Sequence, residues 1–280
     1  MKIYKNANLV KKHCNGVLAI GNFDGIHLGH QKVIKEAKIK AKKNNLPFGV
    51  MTFEPMPVMF FNKIVKNHRI NSLEQKKTQF KKLKIDFLII IKFTKKFSRL
   101  TAEKFIEKII FKKTKCKYLY VSKNFKFGFK RKGNIKILKK FEKKFNYKNL
   151  ITKPFKKKSK LISSTLIRKK IREGKIVEVN KLLNRSWVVD GKVIKGNKRG
   201  RKIGFPTCNI KMGNYVIPRL GVYVVKVKTN DINNYGIANI GYRPTINGQS
   251  LLLETNIFGI NKNLYNKVIS VSFKKFIRGE

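Results

Sequence analysis

The sequence predicts an α/β domain followed by a smaller β-barrel domain. In the first half, apolar runs of strand length alternate with segments that show helical spacing. After Leu183 the helical spacing stops, and short β-rich runs follow that are separated by Gly, Asn and Pro. A chain of 280 residues is long enough for two such domains. We therefore predict one domain over residues 1–183 and a second over residues 184–280.

The predicted elements of the first half follow one another in βαβ order. Near-continuous apolar strands that alternate with helices indicate a parallel, Rossmann-like sheet with both faces covered. Ligands of such sheets bind beyond the carboxyl ends of the strands. The predicted strands are Val17–Phe23, Pro47–Phe53, Phe87–Phe93 and Tyr118–Val121, and the predicted helices are Leu28 onward, Leu73–Leu83 and Ala102–Phe111.

The second half is a series of short strands with turn residues between them. Regularly spaced short strands are typical of a closed β-barrel, so we predict a barrel here. The predicted strands are Trp187–Ile194, Val222–Lys228, Tyr235–Ile240, Leu251–Ile257 and Val268–Phe273.

The chain is strongly basic, with 67 Lys and Arg against 14 Asp and Glu and a formal net charge of +53. Such a charge is typical of nucleic-acid-binding proteins, because basic side chains displace counterions from a phosphate backbone. Here, however, the basic residues are mainly Lys, they are spread along the whole chain, and Asn, Ile and Phe are abundant with them. We interpret the charge as the bias of a gene rich in A and T and expect no functional nucleic-acid partner. The base composition of the gene tests this interpretation.

The three cysteines, Cys14, Cys116 and Cys208, are far apart and match no zinc-binding spacing. Neither a disulfide framework nor a structural metal is indicated, and a reducing compartment fits best. The N-terminal segment lacks the apolar stretch and cleavage site of a signal peptide, and the longest apolar run, Phe87–Ile91, is too short to span a bilayer. We expect a cytoplasmic protein with no membrane association and no obligate protein partner.

Between the first predicted strand and helix lies the segment GNFDGIHLGH, residues 21–30. It is neither a Walker A loop nor a GxGxxG fingerprint. It places His27 and His30 three residues apart at a helix N-terminus, where free N–H groups and the helix dipole favour phosphate. Imidazoles there can donate hydrogen bonds to charge that develops on a transferring phosphoryl group. Each histidine alone is more often a local hydrogen-bonding residue, but the ten-residue segment as a whole is a highly specific sequence motif.

The segment GNFDGIHLGHQKVI resembles the HxGH motif of nucleotidyltransferases, in the form found in bacterial bifunctional riboflavin kinase/FMN adenylyltransferases, also called FAD synthetases. Three further matches follow in order: MTFEPMP (51–57), NFKFGFKRKGN (124–134) and ISSTLIRKKIREGKI (162–176). The resemblance implies that His27 and His30 are catalytic. It also implies flavin contacts from Asn124, Phe127 and Gly128, and ATP contacts from Gly21, Phe23, Asp24, Gly29, Ser163, Ser164, Thr165 and Arg168.

The ISSTLIR segment has a second interpretation, as the start of a helix. Ser164 or Thr165 can cap the basic helix that follows. Both interpretations can hold, because a capped helix start followed by Arg168 is itself an anion site.

Residues 196–209, GNKRGRKIGFPTCN, combine glycine with basic residues. Three glycines at four-residue intervals let the backbone approach a polyphosphate, and the Thr207 hydroxyl and Asn209 carbonyl are hard oxygen ligands suited to Mg²⁺ shared with nucleotide phosphates. As an isolated Gly/Lys loop the segment would more often be a solvated turn, but it resembles the riboflavin kinase GxPTAN motif, with Cys208 in place of Ala. The predicted nucleotide-binding residues are Gly196, Lys198, Gly200, Arg201 and Gly204.

Three later segments resemble riboflavin kinase blocks in the same order: GVYVV (221–225), NIGYRPTING (239–248) and LETNIF (253–258). The resemblance implies that Glu254 is the general base. A ribityl hydroxyl attacks the γ-phosphate of ATP far better when a positioned carboxylate takes its proton. An isolated strand Glu is otherwise more often a solvent-facing residue.

The chain departs from the family at Met56 and Asn256, where relatives have histidine, and at Asn124, where they have an acidic residue. Relatives also continue beyond the position of Glu280 into a helix, so we expect a barrel without that helix. The expected function is ATP-dependent phosphorylation of riboflavin to FMN and adenylylation of FMN to FAD, with release of pyrophosphate and with Mg²⁺ as the metal. Two alternatives stay open: a riboflavin kinase without the second activity, and a basic nucleic-acid-binding protein.

Overall fold

The computed structural model describes residues 1–64, 67–157, 160–195, 206–245, 248–260 and 262–279. The chain forms two compact units. The first combines Met1–Ile64 with Leu73–Ile162, and the second combines Val65–Ser72 with Ser163–Glu280. Residues 163–183 therefore pack with the second unit, although the sequence assigns them to the first domain. The position of the boundary between the two functional domains stays a prediction.

The first unit is built on a parallel sheet in the strand order β1-β4-β3-β2-β5-β6. This confirms the predicted Rossmann-like sheet. The two edge strands were not predicted, because each is short and carries lysine. The strands are β1 Lys2–Tyr4, β2 Val17–Ile20, β3 Phe48–Glu54, β4 Phe87–Lys92, β5 Tyr118–Ser122 and β6 Lys148–Thr152, followed by a ribbon of β7 Lys156–Lys157 and β8 Lys160–Leu161.

Both faces of this sheet are buried. Along β2, Val17 and Ala19 join one apolar cluster whereas Leu18 and Ile20 join another, because successive side chains of a strand point to opposite faces.

Among the described residues, no helix has the length and apolar character needed to cross a membrane. The helices are α1 Leu28–Lys43, α2 Pro57–Phe61, α3 Leu73–Lys82, α4 Lys95–Ser98, α5 Ala102–Phe105, α6 Ile135–Lys140 and α7 Glu142–Phe145 in the first unit, and α8 Ser164–Arg172 and α9 Ile176–Leu183 in the second.

Two predicted elements of the first unit differ in form. The first strand ends at Ile20 rather than Phe23, because Phe23 has a left-handed backbone with a φ of 47°. The helix predicted over Ala102–Phe111 begins as α5 and continues as a π-helix over Ile106–Thr114. Apolar spacing over so few turns does not distinguish these two helix types.

Helix α8 begins one residue earlier than the capping interpretation predicts. The Ser163 side-chain oxygen accepts a hydrogen bond from the Leu166 N–H at 3.2 Å, which makes Ser163 the N-cap residue. The prediction that Ser164 or Thr165 caps this helix is therefore wrong. The first hydroxyl of the Ser-Ser-Thr run already takes the cap position, and the next two residues are helical.

The second unit is a closed barrel of antiparallel strands in the order β10-β13-β12-β11-β14-β9, which confirms the predicted barrel. Large side chains fill it, and Trp187, Tyr223 and Phe273 are each at most 1% exposed. Strand β10 was not predicted, because its sequence TCNIK is largely polar. The strands are β9 Trp187–Ile194, β10 Thr207–Lys211, β11 Gly221–Lys228, β12 Asn233–Thr245, β13 Gly248–Ile257 and β14 Val268–Arg278.

A short segment that precedes α3 in the chain also belongs to the second unit. Arg69 forms a parallel β-bridge with Tyr215, and its carbonyl accepts a hydrogen bond from the Val216 N–H at 2.9 Å. The Trp187 indole N–H donates to the carbonyl of the fully buried Ile70 at 3.0 Å. Sequence patterns do not predict this contact, because its two residues are 117 positions apart.

The first unit carries a buried histidine near its N-terminus. His13 is 8% exposed, its ring stacks on Phe87 with centroids 4.8 Å apart, and its Nδ1 lies 2.7 Å from the Tyr4 hydroxyl oxygen. Burial, with a smaller contribution from the charge of Lys12, lowers the pKa of His13 from its ordinary 6.5.

We expect the free energy of unfolding to decrease as the pH falls below about 6.5, because the unfolded chain then binds a proton at His13 that the folded chain resists. The stabilisation is present above that pH and is lost towards the lower pKa of the folded state. Urea unfolding of the parent protein and a His13→Gln variant at about pH 7.5 and 5.5 measures it. The variant should lose less stability on acidification than the parent; equal losses would contradict this.

Candidate active sites

The turn between β2 and α1 has a left-handed backbone at three residues. Phe23, Gly25 and Ile26 have φ values of 47°, 85° and 38°. Residues other than glycine rarely adopt this backbone conformation, so the surrounding structure must hold the turn in place. The turn leads from the end of β2 to His27, the N-cap residue of α1, and it lies at the carboxyl edge of the parallel sheet.

His27 caps α1 with its imidazole. Its Nδ1 accepts a hydrogen bond from the His30 N–H at 3.4 Å, and the residue is 4% exposed. Because Nδ1 is the acceptor, a neutral His27 carries its ring proton on Nε2. An Nε2–H group can donate a hydrogen bond to a phosphate oxygen.

The two predicted catalytic histidines lie together. The rings of His27 and His30 stack with centroids 3.7 Å apart and planes 21° apart, and the His30 ring contacts the Phe23 ring at 5.2 Å. A methyl group at Gly29 would come within 3.1 Å of the His27 ring. Glycine between the histidines therefore leaves room for the stacked pair.

Two other residues predicted to bind nucleotide lie in the same turn. The Gly21 N–H donates to the Met51 carbonyl at 3.1 Å, and a Cβ on Gly21 would come within 3.3 Å of the Phe23 ring. Asp24 is 2% exposed, so its carboxylate lies inside the turn rather than on its surface. Direct contact of either residue with a nucleotide stays a prediction.

A connected set of phenylalanine rings lies at the same edge of the sheet, and we call it the phenylalanine row. It begins with Phe53 near the end of β3 and with Phe93 directly after β4. Phe61, on α2, is 59% exposed and contacts Phe93 at 5.7 Å. Neighbouring rings in the row are 5.3 to 6.2 Å apart. The row comprises Phe53, Phe60, Phe61, Phe93, Phe97, Phe105, Phe125 and Phe127.

Of this row, the sequence predicts a functional role only for Phe127. Its ring is buried and lies 5.4 Å from that of Phe105. Gly128 has a φ of 71°, and a Cβ there would come within 2.7 Å of the Ala102 amide nitrogen. Both the backbone conformation and the lack of space therefore favour glycine at this position. Asn124 is exposed in the turn after β5. The sequence does not predict that the other rings come together, because 21 phenylalanines are scattered through the chain and only folding brings eight of them together.

The departures from the family pattern lie in different environments. Met56 is 1% exposed and precedes the first residue of α2, so an apolar side chain suits its position. Asn256 lies on β13, where its side-chain amide donates to the Pro206 carbonyl at 2.9 Å.

The predicted ATP-binding residues of the ISSTLIR segment belong to the second unit. Ser163 caps α8, Ser164 and Thr165 form its first turn, and the Arg168 Nε–H donates to the His68 carbonyl at 2.9 Å. A capped helix start with a positioned guanidinium suits an anion. The proximity of these residues to the histidines stays a prediction.

On the barrel, the strand register places Glu254 between two asparagines. Glu254 on β13 is directly opposite Asn209 on β10 and Asn239 on β12. Side chains directly opposite one another in antiparallel strands project on the same face. Leu253 and Thr255, the neighbours of Glu254 on β13, are fully buried in the barrel, so this shared face is the outer one.

The outer face also carries the two residues predicted to bind metal. Thr207 and Asn209 are two positions apart on β10 and therefore share a face. Asn209 is 6% exposed, and its Oδ1 has no hydrogen-bond partner among the described residues. A buried amide oxygen of this kind is a suitable ligand for a hard cation, so these two residues fit Mg²⁺.

The side chain of Cys208, between these two residues, points to the other face, where burial raises the pKa of its thiol. It therefore stays neutral where the family motif has Ala. Within the described residues, no group of three or more His, Cys, Asp or Glu side chains is placed to hold a metal ion. The glycine-rich part of this motif, with the predicted nucleotide-binding residues Gly196, Lys198, Gly200, Arg201 and Gly204, lies outside the described residues.

Two family models match the chain in sequence. FAD synthetase matches residues 9–166, and riboflavin kinase matches residues 183–280.

Curated relatives match nearly the whole chain. Proteins described as bifunctional riboflavin kinase/FMN adenylyltransferase from Buchnera aphidicola subsp. Schizaphis graminum and from Haemophilus influenzae are each 40% identical over 277 residues, which is 98% of this chain and 89% of the relative. The Escherichia coli K12 protein of the same description is 34% identical over 265 residues, 94% of this chain and 85% of the relative.

A solved structure supports the fold. A crystal structure described as a macrolide-efflux protein from Streptococcus pneumoniae superposes with a TM-score of 0.87 at 31% identity, and it covers 99% of this chain and 91% of that chain. The chain belongs to the family of bifunctional riboflavin kinase/FMN adenylyltransferases, which phosphorylate riboflavin to FMN with ATP and adenylylate FMN to FAD.

Proposed function

We propose that each unit carries one of the two reactions. The observation that supports this division is the placement of the predicted catalytic and metal-binding residues: His27 and His30 lie in the first unit, and Thr207, Asn209 and Glu254 lie in the second. Adenylyl transfer then takes place at the β2–α1 turn, and phosphorylation takes place on the outer face of the barrel.

In the barrel, Glu254 acts as general base. It takes the proton of the riboflavin 5′-hydroxyl as that oxygen attacks the γ-phosphate of ATP, and FMN and ADP leave. Asn209 and Asn239, which are directly opposite Glu254, orient the hydroxyl and the phosphate. Thr207 and Asn209 would hold Mg²⁺, which supplies charge neutralisation on the phosphate oxygens when it is bound.

At the β2–α1 turn, a phosphate oxygen of FMN attacks the α-phosphate of a second ATP, and pyrophosphate leaves. Negative charge increases on the α-phosphate oxygens and on the leaving group during this step. The stacked His27 and His30 donate hydrogen bonds to that charge from a position fixed by the start of α1. Their fixed position matters, because donors already in place need no reorganisation during the reaction.

The phenylalanine row binds the flavin ring system. A flat aromatic ligand stacks on exposed rings, and Phe61 presents the most exposed ring of the row at the carboxyl edge of the sheet.

The three cysteines are free, which fits work in the reducing cytoplasm.

We expect reciprocal losses from Glu254→Gln and His27→Gln. The first should lower FMN formation from riboflavin by about 100-fold or more and leave FAD formation from added FMN nearly unchanged, because it removes only the general base. The second should lower FAD formation by about 100-fold and leave FMN formation nearly unchanged. Chromatography of both flavin products measures each step.

Matched controls are Asp231→Asn, an exposed acid elsewhere on the barrel, and His13→Gln, a histidine elsewhere in the first unit. Both should keep both activities. A parent protein that accumulates FMN and forms no FAD would instead identify a riboflavin kinase alone, and parallel losses in both single variants would contradict the division between the units.

Phe61→Ala should raise the KM for FMN about 5-fold in the adenylyltransferase assay, because a stacked aromatic contact contributes about 1 kcal/mol. The KM for ATP should change little. The control is Phe111→Ala, whose ring is 40% exposed and stacks on Phe145 outside the row. An equal change in the FMN KM of both variants would rule out a specific flavin contact at Phe61.

A further inference from the structure

Lys76, in the middle of α3, is fully buried, with 0% of its surface exposed. An ammonium group loses its hydration when it is buried, so a lysine in such a position needs close polar partners. An unbranched apolar side chain of similar length could fill the same volume without that cost. The presence of a lysine here therefore indicates that its polar contacts matter.

One of these contacts is with the β2–α1 turn. The Lys76 Nζ donates to the Asn22 carbonyl at 3.3 Å. The Thr52 hydroxyl, on β3 and also fully buried, donates to the same carbonyl at 3.1 Å. Two donors from different elements therefore hold this one oxygen.

The next residue in the turn is held by the same helix. Phe23 has its left-handed backbone, and its ring contacts the Phe80 ring at 5.7 Å and the His30 ring at 5.2 Å. Lys76 and Phe80 are four residues apart and therefore lie on one face of α3. This face contacts the turn twice, at the Asn22 carbonyl and at the Phe23 ring.

The contacts form a continuous path to the histidine pair. Lys76 and Thr52 fix the Asn22 carbonyl, and the rigid peptide plane passes that orientation to Phe23. The Phe23 ring lies against His30, and His30 stacks on His27. Loss of the hydrogen bond from Lys76 would free the turn to leave its unfavourable backbone conformation.

We propose that Lys76 is a positioning residue for adenylyl transfer, which holds the β2–α1 turn so that the Phe23 ring keeps His30 stacked on His27. This inference rests on the proposed roles of the two histidines. It assigns Lys76 no contact with ATP or FMN, so its loss should affect the rate of the chemical step more than the binding of either substrate.

The test compares Lys76→Met and Thr52→Val with the control Lys81→Met, an exposed lysine on the same helix. Lys76→Met should lower kcat for FMN adenylylation by about 10- to 100-fold, and Thr52→Val, which removes the second donor and leaves Lys76 in place, by about 3- to 10-fold. The KM values for ATP and FMN should change less than about threefold. Riboflavin phosphorylation in the same samples should stay at the parent rate, as it should in Lys81→Met.

A second measurement separates positioning from general loss of structure. The chain has 4 histidines, so their ring C–H resonances can be resolved by NMR. The His30 resonance lies under the ring current of Phe23 and should shift in Lys76→Met and Thr52→Val, whereas that of His13 should not. Lys81→Met should shift neither.

An adenylylation kcat within about twofold of the parent in folded Lys76→Met would overturn the proposal, as would a lower kcat with an unshifted His30 resonance. If Lys76→Met does not fold, Thr52→Val decides by the same two criteria. His27→Gln is the reference: if it keeps full adenylylation, the proposed function fails at the histidines. If it loses adenylylation while Lys76→Met and Thr52→Val keep it, the inference about Lys76 alone fails.

Discussion

The common direction of the strands in the first unit is the constraint on which its chemistry depends. Parallel strands end at one edge of their sheet, so the segments that follow β2, β3 and β4 meet there. The first segment carries the stacked histidines, and the other two carry much of the phenylalanine row. Strand direction thus brings the histidine turn and the aromatic rings to one edge of the sheet, although they are far apart in the sequence.

In the barrel, the corresponding constraint is register. Glu254 faces Asn209 and Asn239 only because β13 pairs with β10 and β12 at these positions. A slip of one residue would turn the carboxylate into the apolar interior and bring Thr255 to the outer face. The closed barrel prevents such a slip, because each strand is paired on both sides.

The sequence predicts the features that depend on residues close together in the chain. Long apolar strands and the motifs around His27, His30 and Glu254 were identified in this way, while β1, β6 and β10 were missed because they are short or polar. The phenylalanine row depends on folding, so no local pattern reveals it. Lys76 was hidden for a different reason: in the lysine-rich stretch LEQKKTQFKK it looks like one more surface charge, and only tertiary packing distinguishes it from Lys77 and Lys81.

The segment around Ile70 has a consequence for how the protein is made and divided. A ribosome delivers this segment more than one hundred residues before Trp187, the residue whose indole it binds. The barrel therefore completes its packing with a piece that was synthesised long before its own strands. A gene split between α9 and β9 would leave that piece on the wrong product, because the segment around Ile70 packs with the barrel strands.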